Sequence, residues 1–183
     1  EVYHLWRSDD RYVIREDENP RSLVRNAARD VEPDDAIKLI GNEVEKLFGS
    51  SSYAVGFNDE GDLESVPDNQ QVKIVVKNGP WDGDSVAEVI KNQPAGRQWR
   101  NTLVFVQPKN GKTISTTSQQ EKFLNKAQEV IGADLRKDDQ NLSEEIREEI
   151  AGLKDEYEDD LLDRLEGAYG EVIDGDDLLN EFE

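Results

Sequence analysis

Cysteine and methionine are both absent from the 183 residues, and histidine occurs once. Without cysteine there is no disulfide, no thiol nucleophile and no thiolate metal site. A chain that opens Glu1-Val2-Tyr3 without an initiator methionine reads as a processed chain or a piece excised from something longer, the excised piece being the preferred expectation. Long apolar runs are missing as well. None approaches the ~20 residues that cross a bilayer, and no basic-then-apolar leader is visible, so the expectation is a soluble, cytoplasmic chain with no membrane contact. Positive charge is scarce: 22 basic side chains stand against 42 acidic ones, for a formal charge of −20. Such self-repulsion weakens a compact state in dilute buffer, whereas at molar salt the screening length falls to ~3 Å. The composition therefore predicts the salt-rich cytoplasm of a halophile and a lean core.

Charge is unevenly distributed. Residues 1–110 carry 20 acids and 14 bases, and residues 111–183 carry 22 and 8. The first stretch holds all the strand-like runs: Arg11–Arg15, Tyr53–Phe57, Val72–Val76 and Thr102–Val106 are rich in β-branched or aromatic residues. The last two are almost continuously apolar, as central strands covered on both faces are. Asn19-Pro20 caps a first helix over Leu23 to Val31; Pro33 opens a second that stops at Gly49 in a left-handed C-terminal turn. Ser85-Val86-Ala87-Glu88 has capping-box form, which predicts a helix over 85–93 joining two parallel strands as a βαβ unit. Beyond Pro108 the pattern is helical. A Ser118–Glu121 capping box opens one helix, which Gly132 is expected to end. Leu142, Ile146, Ile150, Leu153, Tyr157, Leu161, Leu165, Ala168 and Val172 then mark a helix of about 28 residues, paired antiparallel with its predecessor or with an absent neighbour. Asp174 to Glu183 is expected to fray. The predicted fold is α/β: a mixed, partly parallel sheet of about four strands with a βαβ unit, flanking helices and a C-terminal long-helix pair. Residues 1–110 form the sheet domain and 111–183 an acidic helical extension packed on it, together one structural unit.

Reactive motifs are thin. Gly111-Lys112-Thr113 follows an apolar strand as a phosphate-binding loop would, but Val106 stands where that loop needs glycine and the next helix cap lies at Ser118. A solvent-exposed turn is the preferred reading. His4 is the lone histidine. The acid pairs Asp138-Asp139 and Asp159-Asp160 and the run Asp174 to Asp177 lack calcium-loop spacing and read as solvated faces. Asp68 with Lys73 suggests a nuclease strand edge, yet Gln71 occupies the place of the second acid. No catalytic residue and no metal ligand is assigned.

The arginines are more informative. Arg21, Arg25 and Arg29 recur at four-residue steps, forming a positive stripe that could meet a nucleic-acid backbone, unless Asp17, Glu18, Asp30 and Glu32 pair it. Arg97 and Arg100 flank Trp99 in a second cluster, and Trp99 with Trp81 is expected to cover one end of the sheet.

Landmarks taken in order carry a resemblance: Tyr12 in a short strand, Glu18-Asn19-Pro20 and Leu23, then Trp99-Arg100-Asn101-Thr102-Leu103-Val104-Phe105-Val106, an alanine-bearing helix and a long acidic helix ending in Ala168-Tyr169. Residues 10–172 thus resemble the middle-to-late region of the large predicted AAA-type ATPases of archaea and bacteria grouped as domain of unknown function 499. The resemblance implies a parent whose nucleotide-binding loop lies upstream, so that ATP and magnesium belong to the parent and this piece holds no cofactor. It marks Arg100 and Asn101 as contacts to nucleotide or partner subunit. Relatives often carry an acid after the strand matching Thr102 to Val106, where this chain has Gln107-Pro108-Lys109. Two functions compete: a non-catalytic accessory domain docking on the remainder of the ATPase, with homo-oligomers possible, and a nucleic-acid-associated module using Arg21, Arg25, Arg29 and Arg97. Screening at high salt weighs against the second, whereas docking of the sheet and long helix through apolar surface is less affected.

Overall fold

A computed structural model describes residues 4–8, 11–15, 19–57, 66–91, 97–109, 114 and 120–173. The elements run β1 (His4–Ser8), β2 (Arg11–Arg15), α1 (Pro20–Arg29), α2 (Pro33–Phe48), β3 (Ser52–Val55), β4 (Lys73–Lys77), α3 (Gly83–Lys91), β5 (Leu103–Pro108), α4 (Gln120–Lys137), α5 (Glu144–Ala168) and β6 (Tyr169–Ile173). The fold is mixed α/β. Three parallel strands in the order β3-β4-β5 carry β6 antiparallel on the β5 edge.

The two central strands sit as their apolar sequence requires. Alternate residues face opposite ways along a strand, so Ile74, Val76, Val104 and Val106 join the larger core with α1, α2, α4 and α5. Val75 and Phe105 join a smaller one with Val86, Val89 and Ile90 of α3. The β4-α3-β5 segment is the expected βαβ unit. Residues on both sides of position 110, from Val24 to Leu165, share the larger core.

Local signals placed α1 and α2 closely. Asn19 Oδ1 accepts from the Arg21 N–H at 2.9 Å ahead of Pro20. Gly49 ends α2 at φ +90°, ψ −177°, a positive-φ stop outside the left-handed helical region. The cap of α3 differs from expectation. The helix begins at Gly83, and Asp82 Oδ1 accepts from the Ser85 N–H at 2.7 Å, so the aspartate three residues earlier takes the capping role assigned to Ser85. The Ser118 cap and the tail from Asp174 lie outside the described residues.

Three further expectations are corrected. The strand Arg11–Arg15 is not in the main sheet; it forms a separate antiparallel hairpin with β1. The fourth strand of the sheet is instead β6, where helical periodicity had placed the last turn of the long helix. Helix α5 therefore stops at Ala168, 25 residues and about 38 Å long. Its antiparallel partner is α4, tied to it by Lys126–Asp160 at 3.1 Å. Gly132 does not end α4. An added Cβ there would lie 2.8 Å from the Ala28 amide nitrogen and the Val24 carbonyl oxygen, so the glycine marks where the α1 backbone meets α4. Helix continuity through it is sustained by that packing.

Candidate functional site

The most structured polar assembly lies at the amino end of β4 and β5. Arg97 is only 3% exposed and each of its three guanidinium nitrogens donates: Nε to Val89 O at 2.6 Å, one terminal nitrogen to Pro67 O at 3.0 Å, and the other to Val66 O. The Arg97 N–H also donates to Ile90 O at 3.0 Å. One side chain thus fastens the end of α3 to the loop before β4. A guanidinium suits this because its donors fan out in a fixed plane, whereas an ammonium cannot span three diverging carbonyls.

Asp68 closes the clasp from the other side. Its carboxylate accepts from the Gln98 N–H at 2.8 Å and the Trp99 N–H at 3.0 Å. The Gln98 bond is the main reason the carboxyl titrates below the ordinary 3.8, with the Trp99 bond and the charges of Arg97 and Lys73 adding to it against desolvation. Lys73, 2% exposed, donates to Asn69 O at 2.8 Å and Gln71 O at 2.5 Å. Burial, and then the charge of Arg97, lower its pKa. The nuclease reading of Asp68 and Lys73 loses its geometry here, because both groups are spent on backbone.

Asp68 also makes the clasp sensitive to acid. A carboxyl with a depressed folded pKa stabilises above its unfolded value, and that stabilisation is lost as pH falls through the folded value. Asp68→Asn should therefore be less stable than the parent at pH 6, with the gap closing as the pH drops below 3.8. Urea titrations of both proteins across that range measure it; a gap independent of pH would remove the carboxylate from the clasp.

On this base sits a short 3-10 turn, Arg100–Thr102. Thr102 Oγ1 donates to Trp99 O at 2.7 Å, and Arg100 Nε donates to Arg97 O at 3.2 Å. Arg100 is exposed, and its terminal nitrogens have no hydrogen bond or ion pair among the described residues. Asn101 is the middle residue of the same turn. Among the described residues Arg100 is thus a cation with a fixed base and an unpartnered outer edge.

The other arginines do not converge with it. Arg97 is internal and belongs to no surface ridge. Arg21 pairs across helices with Glu156 of α5 at 3.1 Å, a partner that sequence neighbours did not suggest. Arg25 and Arg29 are exposed on α1 and make no ion pair among the described residues. Trp81 and Trp99 fall at opposite ends of the sheet. Trp81 follows β4 and donates from Nε1 to Val106 O at 2.8 Å, edge-on to Phe105, while Trp99 precedes β5.

At the carboxyl end, sequence reasoning missed a small network. Lys77 Nζ donates to Ser85 Oγ at 2.5 Å, Ser85 Oγ donates to Asp82, and the ammonium lies 5.2 Å from the Trp81 ring centre. These bonds complete the α3 cap, and the signal lay in Asp82 preceding Ser85 by three. Among the described residues no group of three or more acidic, histidine or cysteine side chains could hold a metal. The Asp138-Asp139 and Asp159-Asp160 pairs are engaged in part, Asp139 by Arg136 at 2.9 Å and Asp160 by Arg164 at 2.8 Å. The Gly111-Lys112-Thr113 turn lies outside the described residues. Among those described, no helix is long and apolar enough to cross a membrane. No family model matches the chain, and no curated protein or solved structure matches it.

Proposed function

We propose that this chain is a non-catalytic accessory domain of a larger ATPase, cytoplasmic and halophilic, which docks on the remainder of the parent through its charged surface. The observation that carries this reading is Arg100, whose outer guanidinium edge has no partner among the described residues while Asp68 and Arg97 hold the turn beneath it. A preformed cation of this kind gives up little side-chain freedom when it meets a carboxylate or phosphate of a partner. Two features support a polar contact. Val72 and Leu135 are the only large apolar side chains strongly exposed among the described residues. Every exposed residue of α5 is Asp, Glu or Gly, a surface suited to concentrated salt.

Arg25 and Arg29 favour the second reading, a nucleic-acid-associated module, since neither makes an ion pair among the described residues, Asp17 and Glu18 lying outside these. The neighbouring acid face of α5, already reached by Arg21, repels a phosphate backbone and weighs against it. The test uses the full-length ATPase in ~2 M potassium chloride, where long-range attraction between exposed charges is screened and only a close contact buried at an interface keeps its strength. Arg100→Glu should lower ATP turnover at least about tenfold, as expected for loss of a charge-assisted contact, with Arg25→Glu near wild type. Residues 1–183 alone should hydrolyse nothing. Turnover by the isolated domain, or an effect of Arg25→Glu equal to that of Arg100→Glu, would refute the docking assignment.

A further inference from the structure

Strand β6 runs antiparallel to β5, and its last residue, Ile173, lies opposite Phe105. At that point the chain is heading toward the amino end of β5, where the Arg100–Thr102 turn sits. At about 3.3 Å per residue, the three residues from Phe105 back to Thr102 span ~10 Å. Counted on from Ile173 in the same register, Asp176 falls level with Thr102 and Asp177 with the middle of the turn. The composition of this stretch matches what waits there. Asp174 to Glu183, outside the described residues, holds five acids and three large apolar residues, Leu178, Leu179 and Phe182, with no base. The turn presents Arg100, exposed and without a partner at its outer edge among the described residues. Behind it lie Lys73 and Arg97, with Asp68 the one carboxylate of the clasp, so the spot is positive on a chain of charge −20. An apolar side chain adjoins it. Lys73 pairs with Leu103, which places the preceding Val72, 59% exposed, beside Thr102.

We propose that the segment Asp174 to Glu183 docks on the Arg100 turn of its own chain, its aspartates pairing with Arg100 and its leucines covering Val72. A carboxylate matches the guanidinium fork with two parallel bonds. A tether this short keeps the segment at an effective concentration on the order of 1 mM, so an intrinsic affinity in the millimolar range holds it half-bound. The apolar part of the contact keeps its strength in concentrated salt, where the long-range charge attraction is screened. The inference rests on the docking reading in using the same edge of Arg100: the segment is a tethered competitor for the carboxylate or phosphate of the parent.

Because the chain has no cysteine, Asn180→Cys carries a single nitroxide label, and amide NMR of the whole chain in ~2 M potassium chloride reads which residues the label broadens. Broadening should centre on Gln98 to Thr102 and Asn69 to Lys73. Arg100→Glu should remove it. Adding Asp176→Lys and Asp177→Lys to that variant should restore it, which a misfolded turn would not allow. Arg25→Glu should leave it unchanged. Broadening that centres elsewhere, that survives Arg100→Glu, or that appears only between a labelled and an unlabelled copy would each overturn the proposal, the last by giving the site to a second molecule. ATP turnover of the parent separates the two readings. Turnover lost in Arg100→Glu, with no broadening of the turn in the 183-residue chain, sinks the tethered segment and spares docking; broadening without an effect on turnover does the reverse.

Discussion

Arg97→Met lowers the unfolding free energy by about 3–5 kcal/mol, as expected when three carbonyl acceptors lose their donor together at about 1–3 kcal/mol each. The side chain is 3% exposed, so water cannot take its place, and its removal strands the carbonyls of Val66, Pro67 and Val89 together. Against a typical total of about 5–15 kcal/mol, that can leave the domain barely folded. Arg97→Lys should recover only a fraction, because one ammonium cannot serve three diverging acceptors. Urea unfolding of the three proteins gives the comparison; a loss under about 1 kcal/mol for the methionine variant would show that the carbonyls find other donors.

Gly132→Ala destabilises by about 2 kcal/mol and Gly132→Val by about 3 kcal/mol, the scale of overpacking in a closed contact. Both run against intrinsic preference, since alanine is favoured over glycine in a helix by about 1 kcal/mol. The clash prevails because the new Cβ meets backbone, at 2.8 Å from Ala28 N and Val24 O, which can retreat only if α1 moves off α4. Gly152 provides the opposite sign. It faces open space on α5, and Gly152→Ala should stabilise by about 1 kcal/mol. Thermal melts of the alanine variants decide the matter: two changes of the same sign would mean that the α1–α4 approach is looser than these distances.

The mixed α/β class, the βαβ unit and the antiparallel α4–α5 pair were all legible in the chain. So were the starts of α1 and α2 and the central places of β4 and β5. Each rests on a nearby cause: a cap with proline behind it, a stripe at steps of three and four, or an apolar run long enough for a strand. The errors came where two local readings scored alike. Leu165, Ala168 and Val172 continue a helical stripe, and only the open edge of β5 turns the segment from Tyr169 into a strand. Gly132 looks like a stop until α1 is laid across it. Of the candidate site, Arg100 was picked out, whereas Arg97 looked like a surface cation equivalent to it.

Composition and short-range pattern by themselves determined a lean, strongly acidic, cysteine-free chain of alternating elements, because capping, periodicity and net charge need no distant partner. Tertiary structure alone decided the roles of its cations: Arg97 internal, Arg21 bridging to α5, Arg100 left facing outward. The reason is that a guanidinium's place depends on which acceptors reach it, and for Arg97 two of those come from Val66 and Pro67, some thirty residues upstream.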